Sequence, residues 1–153
     1  FNQPRVQVQT AVGPVRIPQT SEEDATSLAT FIDQNVPENA PIFATGWGAQ
    51  WYLLTGRPNP TAFDVVLLGL GISGSEAASV ERALLTQPPE AVILPSDWQL
   101  ETSGTDVADD AQRDAIEIKK TMPAWWQTLK QDYVDQTPPD LLNWRVLLRQ
   151  TSQ

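Results

Sequence analysis

The chain has 153 residues, no cysteine, no histidine and a formal net charge of −9, from 10 basic and 19 acidic residues. That length suits one domain, which buries about 70% of its unfolded surface and needs no disulfide or metal staple. The missing residue types exclude disulfides, thiol catalysis, zinc–thiolate sites and any Ser-His-Asp or Cys-His mechanism within this chain. The acidic surface repels phosphate backbones and anionic headgroups, so neither nucleic-acid binding nor electrostatic docking on a membrane is expected.

Residues 1–20 read as a strand or hairpin lead-in: Val6 and Val8, then Val15 and Ile17, alternate around Gly13-Pro14. Thr20 or Ser21, followed by Glu22, Glu23 and Asp24, starts a helix with acids in its first turn. Ala25, Leu28, Ala29, Ile32 and Val36 keep helical spacing until Pro37 stops it. Pro41–Thr45 reads as a compact strand, Gly46-Trp47-Gly48 as a turn, and Ala49–Leu54 as a short helix ended by Gly56. Phe63–Leu68 and Ala91–Leu94 are apolar without alternation, the pattern of strands buried on both faces and favoured by a parallel sheet. A helix over Ser75–Thr86 lies between them and stops at Pro88-Pro89.

Residues 99–112 are polar and acidic and read as a mobile surface loop. Their Asp106, Asp109 and Asp110 lack the spacing of a calcium loop. Ala111–Lys120 is compatible with a helix, Pro123 suits the first turn of another covering Ala124–Tyr133, and Trp144–Leu148 closes the chain as a strand. Alternating strands and helices predict a single α/β domain, a three-layer α/β/α Rossmann-like arrangement with a small, mostly parallel sheet. Trp47, Trp51, Trp125, Trp126 and Trp144 are expected chiefly in the core, with Trp47 or Trp51 as an alternative sugar-stacking platform.

One loop stands out. Thr55-Gly56-Arg57-Pro58-Asn59-Pro60-Thr61 carries the only basic residue between Arg16 and Arg82, set beside two prolines that stiffen the backbone. Such a loop aims a side chain. Arg57 is expected either to pair with a carboxylate such as Asp64 or to contact an anionic or sugar ligand, with Tyr52, Asn59, Thr61 and Asp64 around it.

The run from Ile42-Phe43 through Tyr52-Leu53-Leu54, Gly56-Arg57, Asn59-Pro60-Thr61 and Phe63 resembles the C-terminal soluble domain of integral-membrane glycosyltransferases of the GT-C class, the dolichyl-phosphate-mannose and aminoarabinose transferase-like proteins. Phe31-Ile32 to Pro37, Pro88-Pro89 to Leu94, and Tyr133 with Trp144-Arg145-Val146 also fit, so the resemblance spans roughly residues 21 to 149. It implies an extracytoplasmic accessory domain, periplasmic or on the cell-surface side, of an enzyme transferring sugar from a polyprenyl-phosphate donor. The catalytic carboxylates would lie in loops of the transmembrane part of the same polypeptide. This chain would then hold no catalytic residue, no cofactor and no metal. No apolar run here reaches 18 residues, and the chain begins with Phe1 rather than Met, as expected for a piece of a longer protein.

Two alternatives stay open. One is a non-enzymatic binding or interaction domain of a membrane protein. The other is a nucleotide-binding α/β domain: Gly69-Leu70-Gly71-Ile72-Ser73-Gly74 is a literal G-x-G-x-x-G between an apolar run and a helix, and Asp97 follows the next strand. The motif sits mid-chain rather than opening the fold, and Gly74-Ser75 lacks a phosphate-loop lysine.

Overall fold

The alternating N-terminal residues fold as a hairpin. β1 (Arg5–Thr10) pairs antiparallel with β2 (Gly13–Pro18), from Arg5 opposite Pro18 to Thr10 opposite Gly13. In the computed structural model the described residues are 4–10, 13–18, 22–46, 48–63, 74–98 and 110–150. The hairpin forms its own two-stranded sheet, and Val8 and Ile17 point the apolar side of its alternation at the core.

Helix α1 (Glu22–Asn35) buries Ala25, Leu28 and Ile32 on one stripe, and Val36 continues that stripe into the turn before Pro37. β3 (Ile42–Ala44) follows, buried throughout. α2 (Gln50–Thr55) is stopped by Gly56, whose φ of 65° is left-handed and whose N–H bonds to the Tyr52 carbonyl. α3 (Gly74–Thr86) buries Ala77, Val80 and Leu84 and leads into β4 (Ala91–Pro95). α4 (Asp110–Thr121) and α5 (Pro123–Asp132) meet at Met122, which is fully buried, with Pro123 in the first turn of α5. β5 (Tyr133–Asp135) and β6 (Trp144–Arg149) complete the main sheet.

The strand order in that sheet is β3-β4-β6-β5. β3 and β4 are parallel, with Ile42, Phe43 and Ala44 opposite Ala91, Val92 and Ile93. β6 runs antiparallel to both β4 and β5. The expected mostly parallel sheet is therefore a mixed one among the described residues. An apolar run without alternation reports burial on both faces, which any central strand has whatever its direction. The strand expected over Phe63–Leu68 lies, apart from Phe63, outside the described residues.

Successive sheet residues feed two cores. Phe43, Val92, Leu94 and Leu147 join α3, α4 and α5 through Leu84, Ile118, Trp125, Trp126 and Leu129. Ile42, Ala44, Ala91, Ile93 and Val146 join α1 and α2 through Leu28, Ile32, Trp51 and Leu54. The described tryptophans serve these cores. Trp125 meets Phe43 and Tyr133 edge-on at 6.2 and 5.7 Å, and Trp51 meets Trp144 edge-on at 5.3 Å. Trp98, which no sequence pattern singled out, is 1% exposed. Trp47 lies outside the described residues. Of the acidic stretch 99–112, only 110–112 are described, as the start of α4.

Candidate functional site

The loop singled out by the sequence is tightly built, and its arginine faces inward. Arg57 is only 8% exposed. Its Nη1 donates to the Thr55 carbonyl and its Nη2 to the Val36 carbonyl, each at 2.9 Å, and Nη2 also lies 3.3 Å from an Asp33 carboxylate oxygen. Thr55 and Val36 stand at the C-terminal ends of α2 and α1, where carbonyls lack intrahelical partners and the helix dipole is negative. One guanidinium thus joins two helix ends. Its carboxylate partner is Asp33, 66% exposed along its side chain, and Asp64, the partner considered from sequence, lies outside the described residues.

The neighbours of Arg57 are engaged in the same way. The Tyr52 hydroxyl accepts the Ala44 N–H at 2.9 Å, satisfying a donor of β3, and the Pro58 carbonyl accepts the Ile42 N–H at 3.1 Å. The Asn59 carboxamide oxygen accepts from the Thr61 N–H and hydroxyl at 2.9 and 3.0 Å, while its amide donates to the Phe63 carbonyl at 2.8 Å. The structure therefore sets Tyr52 and the loop of Arg57 and Pro58 against β3 and the ends of α1 and α2, while Asn59 and Thr61 brace the loop through Phe63. Arg57 Nε is buried and has no hydrogen-bond partner among the described residues.

Of the glycine motif, Gly69 and Gly71 lie outside the described residues. Gly74 opens α3 and is exposed, and among the described residues nothing lies within 4 Å of where a Cβ would sit. Asp97 is exposed in the turn after β4. Among the described residues no group of three or more acids is placed to hold a metal ion.

A second site was not read from the sequence. A groove of about 700 Å³ runs along the outer face of α1 toward the turn at 138–140, lined by Glu22, Glu23, Thr26, Thr30, Phe31, Pro138 and Asp140 among others. Its far wall is pinned by Asp24, 6% exposed, whose carboxylate accepts the Leu142 N–H at 3.0 Å and the Asn143 side-chain amide at 2.6 Å. The signal was present: Asp24 falls four and eight residues before Leu28 and Ile32, so a carboxylate occupies the buried stripe of α1 and must find donors there.

Comparison with protein-family profiles, curated proteins and solved structures finds no match to this chain. Among the described residues, no helix is long and apolar enough to cross a membrane.

Proposed function

We propose that this chain is an extracytoplasmic accessory domain of a membrane glycosyltransferase that uses a polyprenyl-phosphate sugar donor. The sugar transfer itself would occur in a transmembrane part of the same polypeptide. One observation carries the reading. Of the residues that bear the family resemblance, Tyr52 bonds to β3 and Arg57 to the ends of α1 and α2, while Gly56 ends α2 and Asn59 and Thr61 brace the loop from within. A signature built of fold-fixing contacts suits a domain that supports chemistry done elsewhere. On this reading the loop is a positioning element, and a three-layer α/β/α arrangement is supported by alternate sheet residues feeding two separate cores.

The test uses the full-length parent protein in membranes and a polyprenyl-phosphate sugar donor. Removal of residues 22–150 should abolish transfer while the transmembrane part still inserts, and the isolated chain should transfer nothing. A parent with no multispanning region, or one that keeps full transfer without this domain, overturns the reading. The second reading, a non-enzymatic binding domain of a membrane protein, is favoured by the groove along α1.

A further inference from the structure

Most described carboxylates have partners. Asp33 faces Arg57, Asp135 faces Arg145, Glu90 faces Arg149 and Glu117 faces Lys120. Asp24 and Glu81 accept backbone N–H groups. Glu22, Glu23 and Asp140 have no such partner among the described residues, as is also true of Glu38 and Asp132, but these three line the groove, whose described lining holds no lysine or arginine. The dipole of α1 accounts for acids in its first turn. It does not account for Asp140, which comes from the opposite wall, nor for the half-buried Phe31 and Pro138 that give the groove an apolar surface. Leu142, two residues past Asp140, is 69% exposed, and its backbone is the part of the wall that Asp24 holds.

We infer that this groove is the docking site of a basic, arginine-bearing peptide segment of a partner protein. An arginine is the cation that fits both features: its planar face stacks on the Phe31 ring while its fork of N–H groups meets a rim carboxylate. An apolar side chain next to it in the partner would cover Leu142. The three carboxylates and the overall charge of −9 attract such a segment before contact. Asp24 keeps the two walls together, so docking orders little of this chain.

The experiment titrates the 153-residue chain, ¹⁵N-labelled, with a hexa-arginine peptide at low salt, following backbone amides. The amides of residues 22–34 and 140–142 should shift, and Glu23→Gln with Asp140→Asn should weaken binding about tenfold. Glu38→Gln with Asp132→Asn removes the same charge outside the groove and should change binding by less than about twofold. Asp140→Asn alone leaves α1 untouched and replaces the groove pair if that pair unfolds. Equal weakening by both pairs would reduce the effect to diffuse charge attraction and overturn the site. So would absent binding, shifts scattered over the surface, or a groove that responds to maltohexaose and not to the peptide.

Discussion

At the residue scale, Arg57 shows how a buried cation is held. Its charge faces two helix-terminal carbonyls and one mostly exposed carboxylate, so backbone dipoles, more than Asp33, compensate its burial. Truncation should then cost far more than loss of the carboxylate. We expect Arg57→Ala to destabilise the domain by about 3 kcal/mol, because two buried carbonyls lose their donor. Asp33→Asn should cost less than about 1 kcal/mol, since an exposed pair is screened by solvent. Urea unfolding of the two variants measures both, and an Arg57→Ala protein that unfolds at the wild-type midpoint would refute the clamp. The sequence made the isolation of Arg57 and the stiffness of its loop legible. It did not reveal that the side chain turns inward, because its acceptors end helices that lie elsewhere along the chain.

At the element scale, legibility followed local pattern and failed where tertiary contact decides. α1 and α3 were readable from apolar spacing and their proline or acidic boundaries, α5 from Pro123 in its first turn, and β3 and β4 from short apolar runs. β5 was not: Tyr133–Asp135 follows α5 without a turn signal and is a strand because β6 lies beside it. Sheet direction was equally hidden, since burial and orientation are separate properties of a strand. Glycines give a sharper test of what the elements require. At Gly48 a Cβ would come within 2.7 Å of the Ala44 Cβ and 2.9 Å of the Thr45 carbonyl, so the end of β3 must move to admit it. Gly48→Ala should therefore destabilise by about 2 kcal/mol. Gly74→Ala, at the open first position of α3, should be neutral or stabilise by up to about 1 kcal/mol. Thermal unfolding of the pair decides it, and equal losses would mean that space at the β3 end is not what demands glycine.

At the scale of the whole molecule, β5 joins two titrating groups that set opposite limits on stability. Tyr133 is buried, and its hydroxyl donates to the Pro89 carbonyl at 2.6 Å, tying the start of β5 to the turn before β4. Burial pushes its pKa well above the usual tyrosine range; the nearby Arg149 opposes this, and Glu90 and Asp132 add to it. A raised folded value means that this contribution is complete below the unfolded pKa of about 10 and is lost as pH rises beyond it. Asp135 behaves in the opposite sense. Partial burial alone would raise its pKa, but hydrogen bonds from the Thr137 hydroxyl and N–H and the bonded Arg145 guanidinium outweigh that and lower it. Its contribution is present above the unfolded pKa of about 4 and fades as pH falls through the lower folded value. The urea midpoint, followed across pH, should thus fall at both ends. Tyr133→Phe should lower the midpoint at neutral pH by the equivalent of about 1 kcal/mol and flatten the alkaline fall. Asp135→Asn should flatten part of the acid fall and leave the alkaline one intact. A Tyr133→Phe protein with an unchanged alkaline limb would show that another group governs it, and that the hydroxyl between β5 and Pro89 is not the alkaline weak point of this fold.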